Sequence, residues 1–201
     1  MGRIGQGLLS PVIAEIFDHF PMGIVLVDAD LMVQAANPMA GDILKSGDGL
    51  TRRGDRLAAN NNSDTDALRE LVRTCCDNPR QESECFPAPR RSSASPLLIR
   101  VAGTSKDISI VYIADPDRVR LPAPRALYQL FGLARREVEL IRLLLKGQAL
   151  EAVSRELNIS VNTVRSYLRS SFAKTNMARQ SDLIRLVMAS PACLSIDADD
   201  G

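Results

Sequence analysis

The chain has no tryptophan, a single histidine, and aromatic residues at only 4% of its 201 positions. Each scarcity removes a class of chemistry. With His19 alone, a Ser-His-Asp or Cys-His catalytic group would have to be built around one residue. Neither a G-x-S-x-G elbow nor a papain-like cysteine context supports one. His19 lies between Phe17 and Phe20 at what reads as a helix end, so a partly packed structural role is expected of it. Cys75, Cys76, Cys85 and Cys193 form no CxxC pair, which argues against a zinc site. They read as small hydrophobes, with a redox-sensing thiol as the sharper alternative. No phosphate-cradling G-x-x-x-x-G-K-[ST] and no strand-linked G-x-G-x-x-G occurs. The expectation is a protein that is not an enzyme and carries no cofactor.

A long hydrophobic run is missing as well. Crossing a bilayer takes about 18–20 apolar residues, and the run from Gly23 to Val27 is cut short by Asp28 and Asp30. The first residues, Met1 to Gln6, show neither a secretory core nor a myristoylation pattern. A cytoplasmic protein without a membrane partner is expected. What the chain does have is 45% hydrophobic residues, enough to bury a core and exclude wholesale disorder.

Lysine and arginine total 25 against 24 acids, a net charge of +1. That near-neutrality averages unlike parts. Residues 1–124 carry a net −2, residues 125–190 a net +6, and residues 191–201 a net −3. A basic segment set between acidic ones points to a polyanionic partner. Proline punctuation falls at the same boundary, at Asp115-Pro116-Asp117 and Leu121-Pro122-Ala123-Pro124. The divisions expected are a regulatory domain at 8–117, a Pro-rich linker at 118–130, a helical domain at 131–190 and an acidic disordered tail at 191–201.

In the first part, Leu8, Leu9, Val12, Ile13, Ile16, Phe17 and Phe20 form a helical stripe. Gly23 to Asp28 reads as a buried strand that pairs with Leu31 to Ala36 across a turn at Ala29-Asp30. Asn37 caps a short helix that opens on Pro38. Ser63 or Asp64 caps another, with Leu68, Leu71 and Val72 inward. Leu97 to Val101 and Ile108 to Ile113 read as two further strands. The result is a small α+β domain. Phe20 to Asp28, Val33 to Ala40 and the closing Ile113-Ala114-Asp115-Pro116 resemble a PAS-type sensor domain. That resemblance implies a five-stranded sheet with helices around a pocket, and a small-molecule ligand or dimerisation as its use.

In the second part, Leu133, Val138, Leu140, Ile141, Leu144 and Leu145 give one helix a broad apolar face, ending at Lys146-Gly147. A short helix follows over Leu150 to Leu157. Asn158-Ile159-Ser160 then makes a tight turn, with Ser160 as N-cap. The next helix, Val161 to Lys174, sets Val161, Val164, Leu168 and Phe172 inward and Asn162, Arg165, Ser166 and Arg169 outward, free of acids. A helix about 10–12 Å across fits the B-DNA major groove, where arginine can hold guanine with two hydrogen bonds. A last helix, Ser181 to Ala189, carries Leu183, Ile184, Leu186 and Val187.

The ordered series Leu133 to Leu140, Leu143 to Gly147, Leu157 to Arg165 and Phe172 to Thr175 is similar to the LuxR-type helix-turn-helix family. The resemblance implies an all-α four-helix domain that binds double-stranded DNA as a homodimer. It implies base contacts from Arg165, Ser166 and Arg169, and phosphate contacts from Asn162, Thr163, Lys174 and Arg179. It also implies dimerisation through the helix bearing Leu183, Ile184, Leu186 and Val187. Departures are Ala134 at a Thr or Ser N-cap, Ala152 for Glu, Ser154 for Ala, Tyr167 for His and Asn176 for Gly. Missing tryptophans argue against an acyl-homoserine-lactone sensor, and the missing acidic pair and lysine against a phosphoreceiver. The reading is a DNA-binding transcription regulator under PAS-like control. The rival is a protein-interaction module that modulates another regulator.

Overall fold

Alternation of apolar residues governs how the first of two units folds. The computed structural model describes residues 11–78, 84–93, 95–104, 107–118 and 121–194, which divide into units 1–118 and 119–201. Unit 1 opens with helix α1 (Pro11–Asp18), and Leu8 and Leu9 of the expected stripe lie outside the described residues. Strands β1 (Gly23–Val27) and β2 (Val33–Ala36) form the expected antiparallel hairpin. Its turn is held by the Asp28 carboxylate, which accepts the Asp30 and Met32 N–H groups at 2.9 Å each. Leu31, fully buried, takes φ +63° there, a conformation that costs a leucine energy and persists because core and turn both impose it.

Helix α2 (Pro38–Ser46), the hairpin β3 (Leu50–Arg53) and β4 (Arg56–Ala59), and helix α3 (Asn62–Asp77) follow. Then come β5 (Glu84–Ala88), β6 (Leu97–Gly103) and β7 (Ser109–Ala114). Five strands make one antiparallel sheet in the order β2-β1-β7-β6-β5. Its inner face, with Val25, Ile99, Val101, Val111 and Ile113, packs with Leu31, Leu50, Leu57, Leu68 and Val72 in one core. On the outer face, Phe17 of α1 covers Ile24, Leu26 and Ala35. The cap of α3 is Asn61, whose side chain accepts the Asp64 N–H, and not Ser63 or Asp64 as expected. Cys75 and Cys76 are buried at the end of α3. Burial pushes the Cys75 thiol up, which lowers its thiolate character and argues against redox sensing there.

Unit 2 is helical: α4 (Pro124–Phe131), α5 (Arg135–Leu145), α6 (Leu150–Glu156), α7 (Val161–Thr175), α8 (Gln180–Met188) and a 3₁₀ turn at Pro191–Cys193. Two sequence expectations change. Residues 124–130, read as the end of the linker, lie in α4, because Pro124 takes the first helical position where its missing N–H costs nothing. Leu127 then enters the core of the unit. Residues 191–194, read as disordered tail, instead pack back: Ala192 is buried, and its carbonyl accepts the Ala123 N–H at 3.2 Å. Residues 195–201 lie outside the described residues.

A buried amide ties unit 1 together. Asn37, fully buried, accepts the Ile24 and Ala40 N–H groups at 3.0 and 2.9 Å through its carbonyl oxygen. Its amide nitrogen donates to the Phe17 and Met22 carbonyls at 3.2 and 2.8 Å. One side chain thus caps α2, extends β1 and closes the link after α1. Asn37→Ala removes a cap and strands buried polar groups, so it should destabilise unit 1 by about 2–4 kcal/mol in urea unfolding. Asn37→Asp should fail to restore it, since a carboxylate has no N–H for the two carbonyls.

Candidate nucleic-acid interface

The turn before α7 forms as its residue types dictate. Asn158 takes φ +53°, which asparagine tolerates better than other non-glycine residues. The Ile159 N–H bonds back to the Ser154 carbonyl at 3.0 Å, and its side chain packs against the core. The Ser160 hydroxyl accepts the Thr163 N–H at 3.1 Å and so caps α7. At the other end Asn176 takes φ +54°, so asparagine does the work of the glycine it replaces.

Helix α7 divides as its pattern predicts. Val164 and Leu168 are buried, Val161 and Phe172 half-buried, and Asn162, Arg165, Ser166 and Arg169 exposed. Among the described residues, neither Arg165 nor Arg169 pairs with a carboxylate. By contrast, Arg135 and Arg136 share Glu139 at 3.1 and 2.7 Å, and Arg185 meets Asp182 at 3.4 Å. Arg179 is exposed at the start of α8. The Thr163 hydroxyl is already engaged, 2.8 Å from that of Ser160.

Packing gives Lys174 and part of α8 a structural role as well. Lys174 reaches Glu137 of α5 at 2.8 Å, with the carboxylate side chain only 5% exposed. Its charge therefore answers a buried acid, although the Lys174 side chain stays 36% exposed. Glu137 also accepts the Ser170 hydroxyl and the Ala134 N–H, each at 2.6 Å, so it supplies half of the capping that Ala134 cannot give. Of the four residues assigned to dimerisation, Leu183 and Val187 are fully buried in the unit's own core. Spaced four apart, they face inward together. Ile184 and Leu186 are half-buried, and the exposed apolar residue on α8 is Met188.

Burial pushes the Glu137 carboxyl up. The bonds from Lys174, Ser170 and Ala134 and the Lys174 charge outweigh it, leaving the group below the ordinary glutamate value. A lowered folded value means that its stabilisation is complete above the unfolded pKa of about 4.3 and is lost as pH falls through the folded value. Glu137→Gln should therefore cost unit 2 about 2 kcal/mol at pH 7, and thermal melts should show a smaller further loss on acidification than in the unaltered chain. Lys174→Ala should likewise lower the melting temperature, because it leaves the carboxylate without its counter-charge.

Residues 132–187 match the family model for bacterial regulatory proteins of the luxR family. No curated protein matches the chain. Among solved structures, the phage VqmA–DPO complex aligns with a TM-score of 0.41 at 14% identity, over 90% of this chain and 89% of that one. The Vibrio cholerae VqmA dimer in the absence of target DNA aligns at 0.41 and 16%, over 90% and 87%. A VqmA–ligand–DNA complex from Vibrio cholera aligns at 0.41 and 16%, over 93% and 90%. These likenesses are loose, and the assignment rests on the matched segment, its turn and its outward cationic helix. Residues 132–187 form a LuxR-type helix-turn-helix domain.

Proposed function

We propose that the protein regulates transcription by sequence-specific binding to double-stranded DNA, two copies reading two half-sites while unit 1 acts as a PAS-like regulatory domain. The observation that carries this reading is the exposed pair Arg165 and Arg169, without a carboxylate partner among the described residues, on an acid-free face of α7. At i and i+4 they stand one turn apart and can address neighbouring base edges, with Ser166 between them. Asn162, Thr163, Lys174 and Arg179 are the phosphate contacts in this proposal, and Lys174 also seats α7 through Glu137. The strand order β2-β1-β7-β6-β5, with α2 and α3 on the inner face, supports the PAS-like reading of unit 1. Leu31, Leu50, Leu57 and Leu68 fill that inner face, so a small-molecule ligand there would have to displace packed side chains. The site of action proposed is the cytoplasm, and among the described residues no helix is long and apolar enough to cross a membrane.

Binding to an operator selected from random DNA tests the reading. Arg165→Ala should cost about 1–3 kcal/mol and relax preference at one base pair. Affinity should fall steeply as salt rises, because phosphate contacts release counterions. Unchanged base preference in the variant would show that this face does not read DNA, and a flat salt response would favour the protein-interaction module.

A further inference from the structure

The end of the β3–β4 hairpin carries an arrangement that is unfavourable in the free protein. Arg53 and Arg56 close the hairpin as directly opposed cross-strand partners, joined by Gly54 and Asp55. Opposed residues share one face of the ribbon, and like charges placed so are destabilising. Both arginines line an open groove of about 320 Å³ between this hairpin and the first turns of α3, where Arg69 adds a third guanidinium. Asp66 is the one carboxylate lining the groove among the described residues, and Arg69 already holds it at 2.5 Å. Neighbouring acids are spent on cations that do not line the groove: Asp55 pairs with Arg52 at 2.6 Å and Asp30 with Arg73 at 3.0 Å. Arg53 meets no carboxylate among the described residues. Arg56 gives one N–H to the Asp30 carbonyl at 2.9 Å, which anchors its guanidinium and leaves its other donors for a ligand.

We propose that this groove binds a small anion through a phosphate group, carried as free phosphate or as a phosphate monoester. A phosphate gathers a charge of about −1.5 to −2 on one centre and presents three acceptor oxygens. It can therefore lie between the two opposed guanidinium groups and take paired, charge-assisted hydrogen bonds from both. Its charge also matches the excess of three guanidinium groups over one carboxylate around the groove. The volume lies at the low end of the roughly 300–1,000 Å³ of small-molecule sites, which suits a phosphate bearing a small organic body. For that body the groove offers the apolar Leu57 and Ala58 and the exposed amide of Asn62. Thr65 offers nothing, because its hydroxyl already serves the Asn61 carbonyl at 2.7 Å and the Ala59 N–H at 3.0 Å. A nucleic-acid strand fits less well: residues 1–124 carry a net −2, so the surroundings repel a long polyanion while a compact one meets the groove alone. As a signal, such binding rests on the reading of unit 1 as a regulatory domain; the binding itself does not.

Calorimetric titration of the full chain, at an ionic strength fixed with sodium chloride, tests it with inorganic phosphate, glycerol phosphate and succinate. The two phosphates should each saturate one site per chain; the tighter of them names the source, and either order supports the site. Succinate spreads its charge over two carboxylates and should bind at least about 10-fold more weakly, so equal affinity overturns phosphate as the chemistry recognised. Arg53→Gln should weaken both phosphates at least about 10-fold and remove the rise in melting temperature that they give the unaltered chain. Without phosphate the same variant should melt no lower than the unaltered chain, because it lifts a like-charge contact. An early melt would make Arg53 a structural residue and overturn the proposal. Arg165→Ala should bind phosphate as the unaltered chain does; if it weakens the titration and Arg53→Gln does not, the anion sits on α7 and the proposal falls. It falls too if no probe saturates, or if Arg53→Gln lowers affinity for the selected operator in phosphate-free buffer, the mark of a DNA contact. Base preference of Arg165→Ala is read separately, so failure of the groove and failure of the DNA-reading face give different results.

Discussion

The buried carboxylate of Glu137 is the constraint on which the placement of the recognition helix depends. Around it, Val138 and Ile141 of α5 share one apolar core with Val164 and Leu168 of α7. Apolar packing is not directional, so alone it would permit α7 to rotate or slide by a fraction of a turn. Hydrogen bonds are directional. Glu137 receives one donor from the start of α5 and two from α7, at Ser170 and Lys174, one turn apart. Rotating α7 about its axis would break both bonds on that helix and leave a buried charge unanswered. The direction in which Arg165 and Arg169 point is thus set by a buried residue of α5.

Unit 1 uses a buried polar group for the same purpose but with different chemistry. Asn37 spends two acceptor and two donor positions on backbone groups of α1, the link after it, β1 and α2. An amide does not titrate, so acid does not loosen this hub, whereas protonation of Glu137 removes the charge that Lys174 answers. Because Glu137 is held below the ordinary glutamate value, the seat of α7 loosens only once acid reaches below that range. The exit of the sheet is also held by charge: Arg90, almost fully buried, bonds Asp115 at 2.8 Å and Asp117 at 2.5 Å. That fixes where the chain leaves β7.

What could be read from sequence was whatever local periodicity or a single cap residue determines. The β1–β2 hairpin, the Asn37 cap, β6 and β7, and the α6–turn–α7 arrangement all carry such signals. The hairpin β3–β4 did not, because Arg52-Arg53 and Arg56 hide the alternation and only Leu50 and Leu57 report a buried face. β5 holds Pro87, a residue suited to an edge strand that reads from sequence as an interruption. For α4, the prolines suggested a stiff linker, and the opposite meaning of Pro at a first helical position needed Leu127 to be seen buried. On α8, four apolar residues within five positions leave the inward direction undecided until the neighbours are in place. Lys174 and Glu137 are 37 residues apart, a pairing no local rule can find.

The net charge of +6 on residues 125–190 acquires its meaning from which cations are already paired. Arg135 and Arg136 are held by Glu139, Lys174 by Glu137 and Arg185 by Asp182. Each such pair neutralises charge at its own place, so the field of the unit is not spread evenly over its surface. The acid-free face of α7 keeps both arginines, and Arg179 is exposed at the start of α8 just beyond it. Fields from unpaired cations add, while those of close ion pairs cancel within a few ångströms. The direction of attraction for a polyanion is therefore set by where acids are absent as much as by where bases occur. On this chain that direction coincides with the face that Glu137 holds in position.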